Sequence, residues 1–243
     1  SVSLSDNPGA PFTIPEEIYN NLTTKDGVEG GDVPTPPVTD EYYIIPDKAL
    51  GEYLNYRLEG KGFVVEENGS YKIDKKKAAT YTGELDLRKR NDDKKALAAA
   101  GLATAQDPIE DLSGIEYFSN VTILRLVSNS LTSLDITKLV ELTTLDLNNN
   151  QITSLDLTQN TKLIDFSYNA STKTGAKKLS SIDLTKNTEL TTLSMTNHEL
   201  TTIDLSKNTK LTSIKLSGNP GAPFTIPAEI YDNLSSKSDG VQK

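Results

Sequence analysis

From Val121 to Asn219 the apolar residues fall into one recurring pattern, LxxLxLxxNxLxxLxLxxNxx, with copies that begin at Val121, Leu142, Leu163, Leu190 and Leu211. The step is 21 residues except for one of 27, between Leu163 and Leu190. A fixed period of this size is the signature of a solenoid. Within each copy two apolar residues flank one polar residue, as in Leu124, Arg125 and Leu126 or Leu145, Asp146 and Leu147, which is the period of a strand with one buried face. A coil of 21 residues cannot bury its apolar side chains alone. Stacking short parallel strands about 4.8 Å apart buries them between neighbours.

The turns carry their own columns. The ninth position of successive copies holds Asn129, Asn150, Ser171, His198 and Asn219. An amide both donates and accepts, so it can satisfy backbone groups where the chain leaves a strand. In the longer third copy, FSYNASTKTGAKKLSSIDL, we place Asn169 in this ladder instead of Ser171. A second column, Asn160, Asn187 and Asn208, marks the opposite turn, with Leu139 in its place in the first copy.

These motifs, LTTLDLNNNQITSLDLTQN and LTTIDLSKNTKLTSIKLSGN among them, resemble the leucine-rich repeat family in the short-period form found on surface and secreted proteins of anaerobic gut bacteria. The likeness covers most of residues 45 to 234. It implies a leucine-rich-repeat solenoid of the α/β horseshoe class, with a parallel sheet on the concave face, an extended convex side and a small helical N-terminal cap. It also implies an extracellular or cell-surface location and recognition of a protein or a glycan. In relatives of this type the cap often carries an acidic loop that looks like a calcium site. The corresponding EENGSYKIDKKK has Tyr71 and Lys77 where Gly and Glu would fall, so no calcium is expected,.

Taken in order, residues 1–22 (SVSLSDNPGAPFTIPEEIYNNL) match residues 213–234 (SIKLSGNPGAPFTIPAEIYDNL) at 17 of 22 positions. The first copy reads as the tail of a preceding repeat block, with residues 1–4 as a sticky edge for a neighbouring molecule. Residues 23–40, rich in Gly, Pro, Thr and acids, read as a linker. Residues 41–120 read as the N-terminal cap and first strand. PDKALGEYLNYRL gives a helix that buries Leu50, Tyr53, Leu54 and Leu58, and Asp74 caps a second short helix. TGELDL is the first strand, NDDKKALAAAG a further helix capped by Asp92 or Asp93, and LSGIEYF the return to the stack. The repeats occupy residues 121–219, a C-terminal cap 220–234, and the start of another linker 235–243.

Charge adds one distinction. The net charge is -9, but residues 1–120 carry 13 basic and 22 acidic side chains whereas residues 121–219 carry 10 and 9. An acidic chain of this kind argues against nucleic acid as a partner. No apolar run approaches the roughly 20 residues of a membrane span. With no cysteine there is no disulfide framework and no thiolate chemistry.

Candidate chemistry is sparse. His198 is the only histidine, and its column makes it a ladder residue. Asp135, Asp156, Asp183 and Asp204 recur at position 15 and read as Asx caps of their own turns. No phosphate-binding loop or nucleophile elbow is present, so neither a cofactor nor an enzymatic activity is expected. The candidate binding positions are Arg125, Asp146, Ser167, Ser194 and Lys215 on the outward side of the strands, together with Lys173, Lys177 and Lys178 in the six-residue insertion. The leading expectation is a non-enzymatic scaffold. The alternatives are a structural spacer in a tandem-repeat surface protein and an accessory subunit of a surface enzyme or uptake complex.

Overall fold

In the computed structural model, which describes residues 41–58, 60–88, 99–102, 107–235 and 239–243, the chain enters through β1 (Tyr42–Ile44) and α1 (Lys48–Arg57). Asp47 caps α1. One of its carboxylate oxygens accepts from the Leu50 amide at 2.8 Å, and the other accepts from the Glu110 and Asp111 amides at 2.8 and 3.0 Å,. Leu50, Tyr53, Leu54 and Leu58 are buried. β2 (Val64–Glu67) and β3 (Ser70–Asp74) follow as a hairpin. Its turn is Asn68-Gly69, with φ of 51° and 77°, the left-handed pair that suits the twist of flanking strands. β3 also pairs with β1, so the N-terminal region contains a three-stranded antiparallel sheet in addition to α1 and α2 (Lys75–Ala78). The region where a small helical cap was expected thus holds strands as well as helices. The hairpin occupies the stretch weighed as a calcium loop.

The stack comprises β4 (Glu84–Asp86), β5 (Ile123–Arg125), β6 (Thr144–Asp146), β7 (Asp165–Ser167), β8 (Thr192–Ser194) and β9 (Ser213–Lys215), parallel and in sequence order. Their register aligns Leu85, Leu124, Leu145, Phe166, Leu193 and Ile214 in one inward row, and each is at most 3 % exposed. Between β4 and β5, Leu112, Ile115 and Phe118 return the chain to the core as expected. The helix expected from Asp92 or Asp93 lies largely outside the described residues. So do the tail at 1–22, the linker at 23–40 and the edge contact through residues 1–4.

Where each coil leaves its strand it would bury unpaired peptide groups, at a cost of about 1–3 kcal/mol for each one left unsatisfied. The asparagine ladder meets them. Asn150 donates to the carbonyls of Leu126 and Leu147, both at 2.9 Å, and accepts from the Leu131 amide at 3.2 Å. Asn129 and Asn219 repeat this arrangement. On the opposite turn Asn160, Asn187 and Asn208 each donate twice to carbonyls of the preceding coil.

Asn169 does not belong to the ladder. It sits two positions earlier in the coil, beside the sheet, where its Oδ1 accepts from the Thr196 amide and hydroxyl and from the Ser194 hydroxyl, all at 2.9 Å. The ladder position itself is Ser171, whose side chain is too short to span two coils.

The C-terminal end closes through β10 (Phe224–Thr225), α3 (Ala228–Asn233) and β11 (Val241–Gln242), with β10 and β11 paired in parallel. The Leu216 amide donates to Asp239 O at 2.7 Å, and the Ser235 amide donates to Thr212 O at 2.9 Å. Gly240 makes this fit possible: its φ is 85°, and a Cβ there would lie 2.4 Å from the Leu216 carbonyl carbon. Val241 is buried. Residues 239–243, where the sequence suggested the start of a linker, therefore pack against the last coil.

Leu145, fully buried at mid-stack, measures how strongly the coils depend on one another. Leu145→Ala is expected to lower the unfolding free energy by about 2–5 kcal/mol, read as a fall in the denaturant midpoint.

Candidate functional site

The parallel register places two outward-facing columns on the sheet. The first runs Glu84, Ile123, Thr144, Asp165, Thr192 and Ser213, and the second runs Asp86, Arg125, Asp146, Ser167, Ser194 and Lys215. All five strand positions proposed from the sequence thus fall in one column. The chemistry is uneven along it. Charge gathers on the first three coils, where Arg125 pairs with Glu84 across the strands and Arg88 grips Asp86 with Nε and Nη2 at 2.8 and 2.7 Å. Arg88 was not among the sequence candidates. Its signal was the alternation in LDLR, which sets it two residues beyond Asp86 on the same side.

Asp146 sits at the centre of this cluster. Burial raises its carboxyl above the usual range, while the Asn148 amide and the Arg88 and Arg125 charges pull it back and Asp86 adds to the rise. A carboxyl held above its unfolded value makes the fold less stable as pH climbs through that interval. Asp146→Asn is therefore expected to raise the melting temperature at neutral pH. The gain should vanish below the carboxyl's ordinary value of 3.8, where both states are protonated. The amide would keep the bond from Asn148 (3.2 Å in the parent).

The other end of the column is bland. Ser167 and Ser194 carry only hydroxyls, Asn169 already engages Ser194, and Lys215 is exposed. A cavity of about 250 Å³ beside β4 is lined by Arg57, Tyr81, Glu84 and Asp86 among others. That is below the 300–1,000 Å³ typical of small-molecule sites.

Lys173, Lys177 and Lys178 belong to the loop that follows β7 and lie apart from the strand columns. The loop starts at Ala170, whose amide donates to Thr196 O at 3.0 Å, turns through Gly175 (φ 80°), and rejoins the core at buried Leu179.

His198 anchors the loop's return. Its Nδ1 accepts from the Leu179 amide at 3.2 Å, and its Nε2 lies 2.6 Å from Tyr168 O. An amide donor on one side and a carbonyl on the other require the neutral ring with its hydrogen on Nε2. At 1 % exposure, with both nitrogens occupied, this imidazole cannot serve as a general base toward a solvent-borne substrate. It also packs edge-on against Tyr168 at 4.4 Å. The Tyr168 hydroxyl donates to Ile152 O at 2.8 Å, and burial pushes its phenol up to about 12.

Burial lowers the His198 pKa, opposed by the Tyr168 carbonyl and assisted by Lys178. A base held below its unfolded value contributes stability that is complete above about 6.5 and is lost as pH falls toward the folded value. His198→Asn is expected to fold and to show a flatter decline of stability over that window, followed by chemical denaturation at a series of pH values.

Asp135, Asp156, Asp183 and Asp204 each accept from the amide two residues on, at 2.8–3.0 Å. These Thr or Ser bonds hold all four carboxyls below their ordinary value, as Asx capping requires. No group of three or more potential metal ligands converges among the described residues.

No protein-family model and no curated protein sequence matches the chain. Three solved structures with a similar course come from Listeria monocytogenes. The functional domain of InlJ, described as including a cysteine ladder, is 25 % identical with a TM-score of 0.42 over 71 % of this chain and 36 % of its own. The internalin InlF is 19 % identical, TM-score 0.44, over 82 % and 64 %. Internalin C2 is 15 % identical, TM-score 0.37, over 82 % and 95 %. The chain spans little more than a third of the first and under two thirds of the second. Scores of this size carry no weight for family or function. No helix among the described residues is long and apolar enough to cross a membrane.

Proposed function

We propose that the chain is a leucine-rich-repeat scaffold, displayed outside the cell, that binds a protein partner without catalysis through the charged first three coils of its concave sheet. The observation that carries this reading is the cluster of Glu84, Asp86, Arg88, Arg125 and Asp146 on a fixed strand register. Opposite charges set into a rigid sheet steer a complementary surface and fix its orientation. Arginine is also among the residues that anchor interfaces. Burial raises the Asp146 carboxyl, a cost to stability that a recognition site would explain.

The test is biolayer interferometry of the purified chain against a panel of extracellular protein domains at several salt concentrations. The proposal expects binding that weakens with salt and is lost in Arg125→Glu, with its circular dichroism unchanged, but retained in Lys215→Glu. Binding indifferent to Arg125→Glu and to salt would contradict it. A spacer role is the second reading, favoured by the plain hydroxyls of Ser167 and Ser194 in the outward column. It predicts no concave-face binding to any member of the panel.

A further inference from the structure

The insertion after β7 does more than lengthen one coil. Its residues 171 and 173–176 fold over the ladder edge of the two preceding coils and enclose a groove of about 500 Å³, within the range of ligand sites. The floor presents the same pair of polar side chains on each of two successive coils, Ser128 with Ser130 and Asn149 with Gln151, and the overhang contributes Lys173 and Thr174.

Four backbone amides of the floor are committed to neighbouring coils. The Ser128, Asn149, Ser130 and Gln151 amides donate to the carbonyls of Asn148, Asn169, Ile109 and Leu131. Ser128 and Asn149 adopt left-handed φ of 61° and 60°. The side-chain hydroxyls and amides of these four residues make no hydrogen bond to any described residue, so their donors and acceptors are available to a ligand.

Charge in this region has one sign. No carboxylate lines the groove. Lys173, Lys177 and Lys178 form no ion pair with described residues, whereas Lys162 and Lys210 on neighbouring coils are held by Glu141 and Glu189. The loop is also fixed at its base. Ser171 gives up the ladder contact, Tyr168 reaches Ile152 O, and the His198 ring takes over the span to the next coil. A loop carried on a rigid base is where recognition concentrates.

We propose that this groove binds an acidic oligosaccharide. The hydroxyl and amide pairs, repeated one strand spacing apart at about 4.8 Å, would engage the hydroxyls of successive sugar units, and the Lys173 ammonium would engage a carboxylate or sulfate. A metal finds no ligand set here. Ala176 is the single apolar side chain that lines the groove, and a nucleic acid strand finds no aromatic platform for its bases. The site is separate from the concave sheet and stands whether or not that sheet binds protein.

The experiment is calorimetric titration of the full chain with uronate-bearing and sulfate-bearing oligosaccharides, each alongside its neutral analogue. Saturable binding of an acidic member is expected. It should weaken about tenfold in Lys173→Gln, through loss of one charge-assisted contact. It should disappear when Asn149→Gly, which tolerates the left-handed backbone, and Gln151→Ala are added, with circular dichroism unchanged. Arg125→Glu should leave it intact. Uronate and sulfate arms that differ identify which anion Lys173 accepts. Three results would each overturn the proposal: no binding of any acidic member, equal binding of the neutral analogues, or binding lost in Arg125→Glu but kept in Lys173→Gln.

Discussion

A chain that coils beneath its own neighbours must bury peptide groups at every corner, and the side-chain ladder that satisfies them is the constraint on which the rest depends. Apolar burial supplies most of the drive to stack, with about 1.5–3 kcal/mol for each fully buried aliphatic side chain before ordering costs are set against it. It sets which face of each strand is buried but is tolerant of the fine geometry between coils. The amides are not. Asn129, Asn150 and Asn219 each tie an amide and two carbonyls from adjacent coils into one geometry, so a coil slipped by one residue would strand all three. Hydrophobic stacking explains why the coils associate, and the ladder explains why they associate in one way.

That division accounts for where the molecule tolerates change. The third coil admits six extra residues because its ladder function has been moved elsewhere. Ser171 leaves the column, the phenol of Tyr168 takes one carbonyl, and the imidazole of His198 covers the next span with two nitrogens in place of one amide. The sheet side of the same coil is undisturbed, because Phe166 and Leu193 keep the inward row and Asn169 secures the following turn. The two candidate sites follow from this. The charges on the sheet are positioned by strand register, and the polar groove is created by a loop that the altered ladder holds in place.

Much of this was legible in the sequence, and the failures have physical reasons. The leucine period fixes the strands to the residue because a parallel register repeats every side chain's environment. The Asx role of Asp135 and its counterparts was legible from local spacing alone. Asn169 was misassigned because two asparagine roles, ladder and sheet-side turn, look alike in composition and differ only by where the insertion opens. The Asn68-Gly69 hairpin carried the strongest short-range turn signal but was weighed as a metal loop. The closing strand Val241–Gln242 was hidden in a polar run, since its partner, Phe224–Thr225, lies 17 residues away and its fit depends on Gly240. The groove was not legible at all: nothing in Ser128 or Asn149 says that residues 171–176 will fold over them.

The most direct test of the ladder is native-state hydrogen exchange at the four amides that its side chains accept from, those of Ile109, Leu131, Leu179 and Leu200. If the ladder fixes the stack, these turn amides should be protected to the same free energy as the strand-edge amides of Leu126 and Leu147, because they open only when the coils separate. Exchange of the four at rates typical of exposed turns, with the strand amides still protected, would contradict the account.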